Sequence, residues 1–390
     1  MRRNFLLILI LIGFFLIFYR LLEQSDVPEE KLKTYTAEPA IHRGPYIPKV
    51  LIYAATPFFR GPVTDEHFLS ACTSTRGQCH ITSDSAEFVN ASAVVFHNPD
   101  FDNQHLSYPF NGTRNDEIPY VWWSLESPTN GLFVAPPNFV NWTMYFTRNS
   151  DIWYPYGHFH RLSSKMKVDY EPIWGQKSDE KMALWIGSNC QTVNKRAPLM
   201  EALRTVGLKL EIFGACGKRT PKDCDGVLKQ NFDCIHEIVK EYKFYMAIEN
   251  SYCEDYVTEK FFATVMKRDS IPIVARRSIY TDLQIPASSY IAIDDFANLK
   301  EFVKYLEVVG SNKTMYLEFF KWKERYQVVP EMNDGTGFCA LCRRLLQGHY
   351  RRQTYENLME WQFTTKTCNN SYLKSYFDVS PKGQIIIPKE

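Results

Sequence analysis

The segment from residue 244 to residue 261 reads FYMAIENSYCEDYVTEKF and combines an apolar run, a polar loop and the start of a helix. The run Phe244–Ile248 predicts a buried strand, because short apolar runs bounded by turn signals are typical of parallel sheets. Thr258 is a suitable N-cap for a helix whose first turn holds Glu259 and Lys260. The segment therefore predicts a strand–loop–helix unit with a polar loop.

Similar units flank this segment. Apolar runs predict strands at Met182–Ile186, Leu208–Phe213 and Ile271–Ala275, and helical periodicity appears at Arg196–Val206 and Thr258–Lys267. Alternating strands and helices indicate an α/β fold with a parallel sheet, in which ligands bind at the carboxyl ends of the strands. No GxGxxG or GxxxxGK[ST] loop occurs, which disfavours a Rossmann dehydrogenase and a P-loop NTPase.

The N-terminal half predicts further strands at Val50–Ala54, Ser92–Phe96 and Tyr120–Trp123. Apolar residues make up 45% of the 390 residues, which is enough for the cores of two domains. Lys and Arg number 45 and Asp and Glu 44, so the chain lacks the basic excess of a nucleic-acid-binding protein. Any phosphate must therefore be recognised by a few placed cations.

The N-terminus predicts the compartment. Arg2 and Arg3 precede an apolar run, and we interpret residues 5–22 as a transmembrane signal-anchor between a cytoplasmic tail (1–4) and a stem (23–48). Its short length suits a Golgi membrane, with the remaining chain in the lumen. The alternative is a cleaved signal peptide, although no small-x-small cleavage site follows the run.

Cysteines and glycosylation sequons agree with a lumenal location. The chain has ten cysteines, an even number, and disulfides persist in that compartment. Asn141, next to Trp142, is the sequon for which burial is the alternative to glycosylation. The five Asn-x-Ser/Thr sequons are at Asn90, Asn111, Asn141, Asn312 and Asn369.

The Glu-Asn-Ser and Tyr-Val-Thr-Glu-Lys groups within residues 249–260 resemble the signature of the α1,3-fucosyltransferases, glycosyltransferase family 10. The resemblance runs from about Val50 to Leu346. Further segments that resemble the family are 121–128, 141–157, 183–196, 79–82 and 338–342.

This resemblance implies a GT-B architecture, in which two Rossmann-like domains face each other across a cleft. Residues 49–170 would form the acceptor-binding domain and residues 171–346 the GDP-fucose-binding domain. The C-terminal extension, 347–390, lies outside the resemblance. The resemblance to the family also implies that Cys72 and Cys79 pair with Cys339 and Cys342 in an order that stays open. Local Cys72–Cys79 and Cys339–Cys342 bridges are the alternative.

The implied reaction is the inverting transfer of L-fucose from GDP-β-L-fucose to the 3-OH of GlcNAc in glycoprotein or glycolipid glycans. The acceptor stays open between a lactosamine-type antenna and the N-glycan core. The alternative is a lectin-like or structural Golgi protein that retains the fold without activity. The presence of Glu126, Arg196 and Lys260 favours the enzyme.

An inverting displacement needs a general base and cations for the leaving diphosphate. The resemblance places the base at Glu126, which follows a strand-like run and precedes Ser127 and Pro128. The residues alone also allow a turn-capping glutamate. Glu249 is the second carboxylate at a strand end, and we assign it to holding the donor loop.

For the donor, we predict that Arg196 and Lys260 bind the diphosphate, that Glu259 binds the ribose, and that Tyr256 and Asn250 contact or orient the sugar-phosphate. The alternative interpretations are a surface arginine and an ordinary exposed Glu-Lys pair.

No metal site is predicted, since the histidine spacing fits no zinc pattern and no DxD-like pair lies in a family motif. A cation such as Mn²⁺ or Mg²⁺ could still stimulate activity. The predicted partners are GDP-fucose, GlcNAc-containing glycans and the Golgi membrane, without nucleic acid.

Overall fold

The computed structural model describes residues 50–388 apart from 103–104, 106–113, 220–223, 225–232, 349–352 and 366–367. The predicted tail, membrane anchor and stem lie outside this part of the chain. Among the helices of the described residues, none is both long and apolar enough to cross a membrane.

The first sheet is built from six parallel strands: β1 (Val50–Ala54), β2 (Cys79–Thr82), β3 (Ala93–His97), β4 (Tyr120–Trp123), β5 (Trp142–Tyr145) and β6 (Ile152–Trp153). Their order is β2-β1-β3-β4-β5-β6. Alternate side chains enter cores on opposite faces, so Val95 belongs to one apolar cluster and Val94 and Phe96 to the other. Burial of both faces explains why the central strands β3 and β4 are almost continuous apolar runs.

The second sheet is built from five parallel strands: β8 (Ala183–Ile186), β9 (Leu210–Phe213), β10 (Phe244–Met246), β11 (Ile271–Val274) and β12 (Ile291–Ala292). Their order is β12-β11-β10-β8-β9. Two antiparallel ribbons complete the strands: β7 (Gly157–Arg161) with β13 (Tyr326–Pro330), and β14 (Asp378–Val379) with β15 (Ile385–Ile386). The parallel α/β fold that the sequence predicts is confirmed.

The α-helices of the described chain are α1 (Asp65–Phe68), α2 (Glu171–Gly175), α3 (Arg196–Thr205), α4 (Asp233–Lys240), α5 (Glu259–Ala263), α6 (Arg277–Asp282), α7 (Leu299–Ser311), α8 (Lys313–Glu318), α9 (Gly337–Leu346) and α10 (Leu358–Thr365). The helix predicted at Thr258–Lys267 is divided into α5 and a π-helical turn, Thr264–Arg268. Thr258 is its N-cap, as predicted, and accepts the backbone N–H of Lys260.

The C-terminal segments return to both sheets. In α9, the side chains of Phe338 and Leu341 pack into a core of the first sheet, although the predicted boundaries group this helix with the second domain. Leu358 of α10 packs on the other face of the first sheet, and Leu373 and Phe377 pack into the core of the second. The described parts of the predicted C-terminal extension therefore pack against both sheets.

All ten cysteines are paired. The long-range bridges Cys72–Cys339 and Cys79–Cys342 confirm the predicted pairing, assign its order and exclude the local alternative. The other bridges are Cys190–Cys216, Cys224–Cys234 and Cys253–Cys368.

The sequon at Asn141 is buried, as its apolar surroundings suggested. Its side chain accepts the N–H of Tyr120 at 2.8 Å and donates to the carbonyl of Gln353 at 2.9 Å. A glycan on this nitrogen would replace an internal hydrogen bond. Asn90, Asn312 and Asn369 are exposed.

Candidate active site

Glu126 lies just beyond the carboxyl end of β4, on a loop whose backbone is fixed by the buried Tyr145 and the half-buried Tyr156. The hydroxyl of Tyr145 donates to the carbonyl of Glu126 at 2.7 Å, and the hydroxyl of Tyr156 donates to the carbonyl of Leu125 at 2.7 Å. The N–H of Glu126 donates to Ser124 Oγ at 3.1 Å. The backbone at Glu126 is therefore held from three directions.

Glu249 lies beyond the carboxyl end of β10 and holds the start of α5. Its Oε1 accepts the N–H of Thr258 at 2.8 Å, and its Oε2 accepts the Thr258 hydroxyl at 2.7 Å. Lys260 Nζ lies 3.1 Å from the same Oε2. Because both oxygens have partners inside the loop, this carboxylate is poorly placed to serve as the base.

Lys260 lies between two carboxylates. Its ammonium is 3.0 Å from Glu259 Oε1 and 2.8 Å from the hydroxyl of Thr258, and its side chain is 14% exposed. Burial lowers the pKa of Lys260, but the charges of Glu249 and Glu259 outweigh it and raise that pKa above its ordinary value. The ammonium therefore stays charged at every physiological pH.

Glu259 is the ionised partner of this pair. Burial would raise the pKa of Glu259, but the charge and hydrogen bond of Lys260 prevail and lower it. Its carboxylate is thus a hydrogen-bond acceptor at the helix start, which is compatible with the predicted contact to a ribose.

Glu126, which follows β4 of the first sheet, lies next to the loop between β10 and α5 of the second sheet. Burial raises the pKa of Glu126, while the charge of Lys260 and hydrogen bonds from Asn250 and Tyr256 oppose the rise. The Glu259 charge raises it further. Arg196 interacts electrostatically with Tyr256, Glu259 and Lys260, so the fold brings together all six predicted site residues, from two sheets and more than 120 positions of sequence.

Asn250 and Tyr256 lie on the loop between β10 and α5. The Oδ1 of Asn250 is buried and has no hydrogen-bond partner in the described chain. The Tyr256 ring is buried, with its centre 5.0 Å from that of Phe146 in the first sheet's core. Asn250 therefore has an acceptor available for a ligand, and Tyr256 also contributes to packing between the two halves.

Arg196, the sixth residue, is buried at the start of α3 and is 5% exposed. Its guanidinium donates to the carbonyls of Ile248 at 3.2 Å and Asn189 at 3.0 Å, while its buried Nε has no partner. Burial lowers its pKa and the Glu249 charge raises it, so the two groups are electrostatically coupled. The surface-arginine alternative is wrong, because this cation braces the strand end that precedes Glu249.

Sequence reasoning missed Glu331, which follows β13. Burial raises the pKa of Glu331 to about 7, and the charge of Glu259 adds to the rise. The ribbon of β13 and β7 carries this carboxyl to the site, since Pro330 pairs with Gly157 next to Tyr156. The only signal in the sequence is a carboxylate after an apolar run, the same signal that favoured Glu126.

A hydroxyl cluster also joins the two loops. Ser127 Oγ lies 3.1 Å from Ser251 Oγ, which is also hydrogen-bonded to Thr129. Ser127 follows Glu126 in sequence and Ser251 follows Asn250, so this cluster fixes the spacing between the two loops.

The described residues contain no group of three or more His, Cys, Asp or Glu side chains that could hold a metal ion. His158 lies on β7, and burial lowers its pKa to about 4, so it is neutral at physiological pH.

Both halves of the chain match models of one family. Residues 47–157 match "Fucosyltransferase, N-terminal", and residues 176–361 match "Glycosyltransferase family 10 (fucosyltransferase) C-term". This chain belongs to glycosyltransferase family 10, the fucosyltransferases. The family that the motifs at 249–260 suggested is confirmed, and the chain is an enzyme by family.

Curated family 10 members are similar over most of their length. The α-(1,3)-fucosyltransferase fut-6 of Caenorhabditis elegans is 40% identical over 332 residues, which cover 84% of this chain and 83% of the relative. The human α-(1,3)-fucosyltransferase 7 is 32% identical over 313 residues, which cover 77% and 83%.

A solved α1,3-fucosyltransferase has the same fold. It superposes with a TM-score of 0.51 at 15% identity, covering 81% of this chain and 94% of the other. At that identity the likeness supports the arrangement of the parallel sheets, not the roles of individual residues.

Proposed function

We propose that this chain is an inverting α1,3-fucosyltransferase with a GT-B architecture, which transfers L-fucose from GDP-β-L-fucose to the 3-OH of GlcNAc. The observation that carries the proposal is that Glu126, from the first sheet, meets Asn250 and Tyr256 on the loop before α5 and Lys260 at the start of that helix, from the second. This arrangement puts a base of raised pKa beside a cation. Similarity to α-(1,3)-fucosyltransferases supports the same reaction.

In this mechanism, Glu126 accepts the proton of the acceptor hydroxyl as its oxygen attacks the anomeric carbon of fucose. The bond from that carbon to the diphosphate breaks on the opposite face, which inverts the configuration, and GDP leaves with the bonding electrons. Lys260 stabilises the charge that develops on the diphosphate, and Glu259 accepts hydrogen bonds from the ribose. Arg196 contributes its charge and braces the donor loop.

A raised pKa suits the base role, because proton transfer is most effective when the base titrates near the working pH. The charge of Lys260 and the hydrogen bonds from Asn250 and Tyr256 oppose this rise in the pKa of Glu126, because they favour its carboxylate form. Burial prevails, so Glu126 is a stronger base than an exposed glutamate.

Transfer assays test the activity and the acceptor together. We expect the purified enzyme to move labelled fucose from GDP-fucose to a lactosamine oligosaccharide or to a core N-glycan peptide, with Glu126→Gln as the inactive control. Glycan binding without transfer to any GlcNAc acceptor would favour the lectin-like alternative. Adding Mn²⁺, Mg²⁺ or a chelator to the same assay measures metal dependence.

We also propose a type II Golgi membrane protein, with residues 5–22 as the anchor and the catalytic region in the lumen. The apolar run after Arg2 and Arg3 and the five sequons support this topology. A chain that begins at about Lys31 behind a cleavable signal should be secreted in active form. An enzyme that needs residues 5–22 for activity would contradict the proposal.

A further inference from the structure

Helix α10 contributes a buried glutamine to the loop that carries Glu126. Gln362 is 0% exposed. Its side-chain oxygen accepts the N–H of Phe133 at 3.0 Å, and its side-chain nitrogen donates to the carbonyl of Gly131 at 3.0 Å and to the hydroxyl of Tyr145 at 3.2 Å. Both of its donors and one acceptor position are thus in use.

All three hydrogen-bond partners of Gln362 described above belong to, or contact, the loop that begins at Glu126. The Tyr145 hydroxyl, which receives one bond from Gln362, donates in turn to the carbonyl of Glu126 at 2.7 Å. Gly131 and Phe133 lie at the far end of the loop that begins at Glu126, and the N–H of Gly131 donates to the carbonyl of Ser127 at 3.0 Å. Gln362 therefore clamps both ends of this loop.

The segment around α10 is also tied to the donor loop. Cys368 forms a disulfide with Cys253, and the side-chain oxygen of Asn370 accepts the N–H of Tyr252 at 2.8 Å. One short stretch of chain thus contacts the loop of Glu126 through Gln362 and the loop of Asn250 and Tyr256 through Cys368.

We infer that Gln362 is a positioning residue, which holds the Glu126 carboxylate at its working distance from the donor by acting through Tyr145 and the backbone of residues 131–133. This inference rests on the proposed function. A buried amide with three partners cannot be replaced by an apolar side chain without leaving the Tyr145 hydroxyl and two backbone groups short of partners. The loop is then free to shift, and small shifts of a base are costly in rate.

The test compares steady-state kinetics and thermal unfolding of Gln362→Met with those of Leu358→Ala. Both residues are buried on α10, but the leucine change removes packing alone. We expect Gln362→Met to lower kcat about ten- to hundredfold while the KM for GDP-fucose stays within about twofold. Leu358→Ala, compared at similar loss of melting temperature, should keep most of its kcat, and exposed Met359→Gln should behave as wild type.

Tyr145→Phe supplies the second arm and removes a single hydroxyl. If Gln362 acts through Tyr145, the two substitutions disturb the same interaction. The loss of log kcat in the double variant should then be smaller than the sum of the losses in the two single variants. Tyr145→Phe must also lower kcat by itself, so a normal kcat in this variant contradicts the inference even if Gln362→Met folds poorly.

Two results would overturn the inference: normal kcat in an active Gln362→Met or Tyr145→Phe enzyme, or an equal kcat loss in Leu358→Ala. A wild-type enzyme that transfers no fucose would instead overturn the proposed function, and this inference with it.

Discussion

At the scale of single residues, the candidate site contains three glutamates that differ in their hydrogen-bond partners, neighbouring charges and burial. Glu249 has both oxygens bonded to Thr258, Glu259 is ionised by Lys260, and the pKa of Glu126 is raised by burial. These different surroundings suit the different tasks that we propose for them: holding the loop, binding the donor and accepting a proton.

Replacing Glu126 by Gln keeps the size of the side chain and removes the base. We expect GDP-fucose binding to persist while kcat falls about 10²–10⁴-fold, the usual contribution of general base catalysis. Donor titration and transfer kinetics on the same preparation provide the measurement. Near-wild-type turnover would move the base role to another carboxylate, with Glu249 and Glu331 as the next to replace.

Removing the cations should weaken donor handling. Lys260→Ala and Arg196→Ala each delete charge-assisted contacts worth roughly 1.5–3 kcal/mol, so kcat/KM for GDP-fucose should fall about ten- to hundredfold. Exposed Lys300→Ala is a matched control. Unchanged donor kinetics in both variants would reject the assignment. A loss of thermal stability limited to Arg196→Ala would agree with its bonds to Ile248 and Asn189.

Glu331 makes stability depend on pH. Its pKa of about 7 in the folded protein lies above the ordinary value of 4.5, so its ionisation opposes folding more and more from pH 4.5 to 7, and constantly above that. Glu331→Gln removes this cost. We therefore expect its melting temperature, relative to wild type, to rise by about a few degrees from pH 5 to pH 8. The exposed carboxylate variant Glu356→Gln should show no such trend, and a difference that is flat with pH would contradict the assignment.

At the scale of elements, the start of α5 is the feature on which the proposed donor binding depends. A helix of only five residues, Glu259–Ala263, has little stability of its own. It is held by the Thr258 cap, which accepts from Lys260 and donates to Glu249, and by the π-helical turn that follows. The cap therefore fixes both the helix and the positions of its charged side chains.

Thr258→Val keeps the shape of the cap and removes its hydroxyl. Losing an N-cap costs about 0.5–2 kcal/mol, and here Glu249 and Lys260 also lose a partner. We expect a lower melting temperature and a raised KM for GDP-fucose, with Thr258→Ser restoring both. Calorimetry and donor kinetics provide the measurements, and a stable Thr258→Val enzyme with unchanged KM would show that the hydroxyl is dispensable.

At the scale of the whole molecule, two disulfides join α9 to the region around β2. Cys72–Cys339 and Cys79–Cys342 span 267 and 263 residues of sequence. Because Cys72 lies close to Cys79 in sequence and Cys339 lies close to Cys342, the two bridges close nearly the same loop. Closing this shared loop lowers the entropy of the unfolded chain by an amount that corresponds to roughly 5 kcal/mol, and the second bridge adds only the smaller amount for a short loop. The loop of Cys190–Cys216, which spans 26 residues, corresponds to about 3 kcal/mol.

Removing both long-range bridges should therefore cost more stability than removing the short one, whereas removing one of them leaves the long loop closed. We expect the variant that replaces Cys72, Cys79, Cys339 and Cys342 by Ser to lower the melting temperature more than Cys190→Ser/Cys216→Ser does, as measured by calorimetry under oxidising conditions. Non-reducing peptide mapping of the wild type checks the pairing itself. An equal or smaller effect of removing the long-range pair would mean that folded-state contacts, not chain entropy, govern these bridges.

The sequence by itself determined the parallel α/β fold, the family and most of the residues that meet at the site. Strands such as Tyr120–Trp123 are buried on both faces, so they appear as unbroken apolar runs, and the Thr258 cap and its following charges form a local pattern. Such signals depend only on residues that are close in the chain, so they can be recognised in the amino-acid sequence.

Only the tertiary structure decided which distant groups touch. Glu331 arrives through a ribbon pairing, Gln362 through the return of the C-terminal segment, and Cys72 could not be assigned to Cys339 rather than Cys342 before folding. None of these contacts has a fixed sequence spacing. The pKa of Glu126 is likewise set by burial and by charges from the other sheet, which exist only once the chain has folded.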